Sequence, residues 1–371
     1  MTGRVPLARR SLFADRRRAA LATVGVAAAL SLVLLFDGLF AGALRQATAY
    51  QRGWQADLVV SQQGVRTMHM SASALPPATV ASARAVPGVL WAEPIRYTSA
   101  VVHAGPASQF AYVIGYDTAT GRGGPRHLVG GRPPTAGQAV IDRLGARRLH
   151  VAVGRTITVL GRPWVVSGLS AGGTSIVNTT VFVTNYDFAA QRGPAVSYIL
   201  VGTQPGAGVA AVGDRLAAAM PTATVQTRAG FVHEEGNITR DMSTDILRIV
   251  TLIGLLIALA VIALTLFTLT LARLRDYGVL KALGAPNRRL AAVVAAQAAW
   301  SVALALAVAV LLAIALAAIV SHLAPTLSII IAPASVARTG AGALIVGALG
   351  SIIPLRRVAR VDPASVFRRA A

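Results

Sequence analysis

The chain has 371 residues, 54% of them hydrophobic and 5% aromatic, with 35 cationic against 14 acidic side chains and a formal net charge of +21. So apolar a composition at this length excludes an ordinary soluble globular protein, and the absence of cysteine excludes disulfides, thiol chemistry and cysteine-ligated metal centres. Every cation except Lys281 is arginine, and two groups flank apolar runs: Arg9, Arg10, Arg16, Arg17 and Arg18 precede one, while Arg356, Arg357, Arg360, Arg368 and Arg369 follow another. A basic excess placed in this way points to a lipid bilayer and not to nucleic acid.

In chain order, a basic N-terminus (1–18) leads into an apolar stretch (19–44). A membrane-crossing helix takes about 20 residues, and the apolar part of this stretch exceeds the roughly 7–15 residues of a signal-peptide core, so it reads as a retained span. Further apolar stretches cover 246–271, 290–320 and 336–353, separated by a polar segment at 45–245, a cationic link at 272–289 and a short outer loop at 321–335; a basic tail, 354–371, follows. Cationic flanks stay on the cytoplasmic side. The N-terminus, the 272–289 link and the tail are cationic, and 321–335 has no lysine or arginine, so both termini are expected in the cytoplasm. The expected fold is an α-helical membrane protein with four transmembrane helices plus a large α+β extracytoplasmic domain inserted between helices 1 and 2.

Within 45–245 the local patterns change repeatedly. Ala56–Val60 reads as a strand, and Pro76–Ala85 reads as a helix with proline at its start and Pro87-Gly88 as its stop. Phe110–Gly115, Thr156–Leu160, Trp164–Val166 and Thr179–Val183 are short β-branched or aromatic runs between glycine-rich turns, including Leu160-Gly161-Arg162-Pro163. Ser197–Val201, Val209–Met220 and Ala223–Gln226 read as strand, helix, strand. His233–Asp245 is polar and runs directly into the second apolar stretch, as a helical stalk would.

The cationic link is the most informative segment. Leu274, Tyr277, Leu280 and Leu283 fall along one helical stripe, with Arg275, Asp276 and Lys281 displaced from it, which predicts a short amphipathic helix. Gly284 suits its C-terminal stop, and Pro286 prevents it from running straight into the next span. Such a helix either docks into a groove on a cytoplasmic ATPase or lies flat against the headgroups.

The run Arg275-Asp276-Tyr277-Gly278-Val279-Leu280-Lys281-Ala282-Leu283-Gly284-Ala285 resembles the REIGILRALGA signature of FtsX-like, MacB-like ABC transporter permeases, with Asp276 in place of glutamate and Tyr277 in place of an aliphatic residue. The segment Pro354–Ala364 is similar to the PARRAARLDPAEAL ending of that family, and Gly130–Pro133 through Val151–Val159 is loosely similar to its extracytoplasmic core. Among its members the chain resembles the DevC/HrtB-type exporters. The resemblance implies an ATPase-coupling role for Arg275, Asp276, Tyr277, Gly278, Leu280, Lys281, Leu283 and Gly284. It also implies a dimer of permeases over a dimer of ATPases in the bacterial cytoplasmic membrane. The expected function is to couple ATP hydrolysis to movement of the extracytoplasmic domains and to export or extraction of an amphiphilic, peptide, haem or lipid substrate. The family also contains non-transporting scaffolds that signal to extracellular cell-wall hydrolases, so an adaptor or a hydrolase is a further expected partner. A Walker A loop needs lysine after glycine, and Lys281 follows Leu280, so the chain is expected to be no enzyme, with ATP and Mg held by the partner ATPase.

Several weaker signals have ordinary explanations. Gly168-Leu169-Ser170-Ala171-Gly172 has the nucleophile-elbow spacing, but the β-branched run after it reads as a strand where an elbow requires a helix. Met68-His69-Met70 offers soft and imidazole ligands, yet neighbours in an extended segment point oppositely. No cofactor or metal is expected in this chain. Asp37 lies in the first span, where a carboxylate at mid-membrane costs about 2.5–3.5 kcal/mol; it is expected near the outer interface, where Arg248 could pair with it as an ion pair or gate. Ala343, Gly347 and Ser351 form a small-residue stripe suited to helix packing.

Overall fold

The structure is a computed structural model and describes residues 16–69, 71–174, 178–272, 286–324 and 326–359. It divides into a helical unit, residues 1–41, 243–323 and 329–371, and an α+β unit, residues 42–242 and 324–328.

Among the described residues, four helices supply the helical unit: α1 (Arg16–Ala47), the later part of α7 (Arg228–Ala272), α8 (Asn287–Leu323) and α9 (Pro333–Ala359). Their shared core is rich in small residues, Ala27 of α1, Ala258 of α7, Ala305, Ala309 and Ala313 of α8, and Ala343 of α9, joined by Leu30, Leu34 and Ile262. Other large aliphatic side chains face outward: Leu264, Leu311 and Ile345 are all more than 60% exposed. Small residues at the helix contacts with many leucines outside is an arrangement that lipid permits, because no hydrophobic drive exists to bury leucine away from acyl chains. Among the described residues, three segments are long and apolar enough to cross a bilayer, Thr23–Ala47, Ala298–Leu323 and Pro333–Ile352, and α7 contains a shorter apolar segment, Ile249–Leu264. The polar stalk and the second apolar stretch expected from the sequence are one unbroken 45-residue helix, α7.

Among the described residues, the α+β unit is organised by ten strands: β1 (Leu58–Gln62), β2 (Val89–Ala104), β3 (Ala107–Tyr116), β4 (Leu128–Gly131), β5 (Gln138–Asp142), β6 (Thr156–Val159), β7 (Arg162–Ser170), β8 (Asn178–Thr184), β9 (Tyr198–Thr203) and β10 (Ala223–Thr227). Their order is β10-β1-β9-β2-β3-β8-β5-β7-β4, and β6 pairs with both β7 and β2. The last pairing matters for shape. Because β6 meets β2 at His103↔Thr158, the strands β2-β3-β8-β5-β7-β6 close into a small barrel. Alternation along each strand fills its interior with Val102, Val113, Ile141, Ile157, Trp164 and Val181, and the Trp164 indole donates to the Val159 carbonyl at 3.0 Å. The β6–β7 hairpin turns on two residues, Leu160 and Gly161, at φ 54 and 76, the double left-handed geometry that matches the natural strand twist. Leucine at the first position is unusual, since its Cβ crowds the backbone there.

Among the described residues, five short helices complete this unit: α2 (Ala49–Arg52), α3 (Ala78–Arg84), α4 (Arg143–Arg148), α5 (Asn185–Arg192) and α6 (Val209–Ala219). The Asp142 carboxylate caps α4 through the Leu144 amide at 2.9 Å and ties down the following loop through the Gly173 amide (2.7 Å) and the Thr174 hydroxyl (2.6 Å). On the open part of the sheet, α3 and α6 contribute Val80, Ala83, Val212 and Leu216 to a core with Leu58, Val60, Ile199 and Val201. A third cluster gathers Trp54, Met68, Ile114, Phe182, Tyr198 and Phe231.

Candidate functional site

In the α+β unit the first turns of α7 are seated by two adjacent carboxylates and an aromatic ring. Phe231 is fully buried, with Trp54 and Tyr198 rings 5.4 and 5.6 Å away. Glu235, fully buried one turn later, accepts from the Met68 amide at 2.7 Å, the His69 amide at 3.2 Å and the Gln51 side-chain amide at 3.2 Å, and it pairs with the His69 imidazole. Glu234 meets Arg66 at 3.0 Å. A buried carboxylate is tolerated where several donors converge on it, and here they come from α2, from the loop after β1 and from an imidazole. Burial holds the His69 pKa below its ordinary value. The ring stands edge-on to Tyr112, which in turn packs edge-on to Tyr97.

A cleft beside this node is lined by Gln46, Tyr50, Gln51, His69, Tyr112 and Thr180. Its volume of about 20 Å³ admits a water-sized molecule and no organic substrate. The arrangement is suited to gripping a helix. Met68 is buried with its sulfur 3.7 Å from the Gln51 amide nitrogen, and among the described residues no group of three histidine or acidic side chains converges on a metal-sized space. Ser170 ends β7, and the next described element is strand β8, so the Gly168–Gly172 spacing does not form a strand-to-helix elbow.

In the helical unit, Arg338 of α9 donates to the Asp37 carboxylate of α1 at 3.0 Å. A second close approach lies nearby, where the Ile330 amide donates to the Gly38 carbonyl at 2.9 Å. In the α+β unit, Gly42 packs directly on the Ser328 backbone and the Gln46 amide donates to the Thr326 carbonyl at 3.0 Å. Along α9, Ala343 and Ser351 are buried, and a Cβ added to Gly347 would lie 3.0 Å from Val302 of α8.

The MacB-like periplasmic core domain family matches residues 19–219, more than half of the chain, and the FtsX-like permease C-terminal family matches residues 248–363. The chain belongs to the FtsX-like and MacB-like ABC transporter permeases. A relative, "Uncharacterized ABC transporter permease Rv0072" of Mycobacterium tuberculosis, is 25% identical over 95% of this permease and 96% of its own length. The extracellular domain of the noncanonic ABC-type transporter YknZ from Gram-positive bacteria aligns with 46% of the permease and 100% of that domain, at 12% identity and a TM-score of 0.37. The periplasmic region of MacB from Actinobacillus actinomycetemcomitans aligns with 48% of the permease and 92% of that chain, at 15% identity and a TM-score of 0.36.

Of the permease residues singled out from sequence, Arg275, Asp276, Tyr277, Gly278, Leu280, Lys281, Leu283 and Gly284 lie outside the described residues, as does Met70. Asp37 has Arg338 as its partner, and the Arg248 side chain lies outside those described. Arg338 escaped the sequence reading because it sits two residues inside the fourth apolar stretch, where the orientation rule, which weighs flanks, gave it no role. Glu235 escaped because its partners, Gln51, Met68 and His69, are more than 160 residues away in the chain. The signal available was a carboxylate pair, Glu234-Glu235, beside an aromatic at the base of a polar stalk, which spacing alone does not assign.

Proposed function

We propose that this permease is the membrane subunit of a mechanotransmission system, in which a separate ATPase binds ATP and Mg and drives movement of the α+β domain. In this reading four spans cross a bacterial cytoplasmic membrane with both termini in the cytoplasm, and 272–289 is the coupling helix on which the ATPase pushes. A second permease copy faces the first, and the cargo is an amphiphilic, peptide, haem or lipid molecule exported or extracted from the bilayer.

The observation that carries the proposal is the continuity of α7. Its first turns are held in the α+β core by Phe231 and Glu235, and the same helix continues through an apolar stretch to Ala272, immediately before Arg273–Gly284. An uninterrupted hydrogen-bonded helix resists compression and bending, so displacement of one end is passed to the other. An anchored upper end and a lower end adjoining the family's cytoplasmic motif are what such a lever requires.

The test is reconstitution of the permease with its ATPase in lipid nanodiscs. Leu280→Asp and Leu283→Asp are expected to lose ATPase association while the α+β unit keeps its melting transition. Retention of the ATPase by both variants would sink the coupling assignment. Should ATPase activity respond to an added extracytoplasmic hydrolase and to no amphiphile, the permease is a signalling scaffold.

A further inference from the structure

Charge is distributed unevenly within the α+β unit. Between Asp117 and Asp187 the chain carries eight arginines, at 122, 126, 132, 143, 147, 148, 155 and 162, and a single carboxylate, Asp142. That carboxylate is buried and already occupied by the Leu144 and Gly173 amides and the Thr174 hydroxyl. The segment builds β4 through β8 and α4, and so most of the barrel. Arg122 is engaged by Glu93 at 3.7 Å and by the face of Trp91 at 4.2 Å, and Arg148 has a contact of its own. The remaining six, Arg126, Arg132, Arg143, Arg147, Arg155 and Arg162, are exposed and have no carboxylate partner among the described residues. Elsewhere in the unit Arg66 is matched by Glu234 and Arg84 by Glu93, while Arg52, Arg96, Arg192, Arg215 and Arg228 donate to hydroxyl or carbonyl oxygens.

An open groove of about 620 Å³ lies on the barrel between the β2–β3 turn, Ala104 to Ala107, and the strip from Leu149 to Thr156, with His150 and Arg155 in its wall. Self-repulsion among unpaired guanidinium groups destabilises a folded domain, and an anionic ligand relieves it.

From this geometry we infer that the barrel exterior binds an extended phosphate-bearing polyanion. Guanidinium forks match phosphate oxygens bidentately. The cations are spread along the segment, Arg126 before β4 and Arg132 after it, Arg143 and Arg147 on α4, Arg155 before β6 and Arg162 at the start of β7, so a ligand that carries charge on each of many repeating units fits them. An acidic protein partner would also need a packed apolar centre between the charges; among the described residues of this segment the large exposed aliphatics are Leu128, Val129, Val153 and Val165, and the exposed cross-strand pair Val101 and Phe110 lies outside it, on β2 and β3. The inference does not depend on whether the permease transports anything.

The experiment measures binding of fluorescent inorganic polyphosphate to the full chain in zwitterionic phosphatidylcholine nanodiscs, as a function of salt. Combined Arg143→Gln, Arg147→Gln, Arg155→Gln and Arg162→Gln is expected to weaken binding at least tenfold at low salt. It should also flatten the slope of log K against log salt by about 3, at about 0.7 for each lost phosphate contact. The matching four-lysine variant, which keeps the charge, should retain most of the affinity, and Arg66→Gln with Arg84→Gln should change nothing. Unchanged binding in the four-glutamine variant overturns the proposal, and so does loss confined to Arg356→Gln with Arg357→Gln. Polyglutamate binding as tightly as polyphosphate would reassign the surface to an acidic protein. Displacement by orthophosphate at equal phosphate concentration would remove the requirement for an extended ligand.

Discussion

The backbone of Ser328 lies directly against Gly42, so closely that any side chain at position 42 would occupy the space of the Ser328 carbonyl. Glycine is required here for approach, and the obstacle is main chain, which cannot swing aside. Gly42→Ala is expected to destabilise by about 1–3 kcal/mol, and Gly42→Val by more. Gly64, at φ 80 with nothing within 4 Å of an added Cβ, is the control. Gly64→Ala should cost about 1 kcal/mol from backbone strain alone. Thermal melting of the purified full chain in detergent distinguishes the two, and equal shifts would refute the contact.

Glu235 is surrounded by donors only, the Met68 and His69 amides, the Gln51 amide group and the His69 imidazole. Glu235→Gln, the usual conservative exchange, replaces one acceptor oxygen with a donor and sets it against another donor. It is therefore expected to destabilise the α+β unit nearly as much as Glu235→Ala, by about 2–4 kcal/mol. Hydrogen exchange at Met68 and His69 should rise in both variants. A neutral Glu235→Gln would show that the carboxylate is not the grip on α7.

Asp37 and Arg338 are exposed enough, at 28% and 71% of their side chains, for the pair to be weak in detergent. A double-mutant cycle on Asp37→Asn and Arg338→Gln is expected to give a coupling below about 1 kcal/mol. The exchanged pair Asp37→Arg with Arg338→Asp should recover the stability of either single reversal. Failure of the exchange to recover it, with ATPase coupling also lost, would convert the pair from a helix tie to a functional element.

Packing of α9 on α8 leaves Gly347 little room opposite Val302 and Gly340 little opposite Leu306. Gly347→Leu should separate these helices and lower the melting temperature. Gly347→Leu with Val302→Ala, which returns most of the volume, should restore part of the loss. Additive effects in the pair would mean that the two residues do not touch.

Much of the α+β unit was legible from local pattern. The expected strand at 156–160 is β6, the run at 179–183 is β8, and the strand, helix, strand reading over 197–226 is β9, α6 and β10. β2 was missed although it is the longest strand, because Pro94 and two charged residues, Glu93 and Arg96, interrupt its pattern. It tolerates them by serving two structures, pairing with β9 over its first half and with β3 and β6 further along. β5 was missed for the opposite reason: buried on both faces, Gln138–Asp142 shows no alternation and is too short to stand out.

Apolar length, arginine-rich flanks and the motif at 275–285 are properties of contiguous residues, so the sequence by itself determined that this is a membrane permease with a mixed α+β domain after its first apolar helix. Which groups meet across the chain was decided by tertiary structure alone. Barrel closure through His103 and Thr158, the grip of Gln51, Met68 and His69 on Glu235, and the pairing of Asp37 with Arg338 all join distant segments. Hydrophobic periodicity says which face of an element is buried and is silent about which other element buries it. Polar partners chosen across such distances are fixed only once the chain has folded around them.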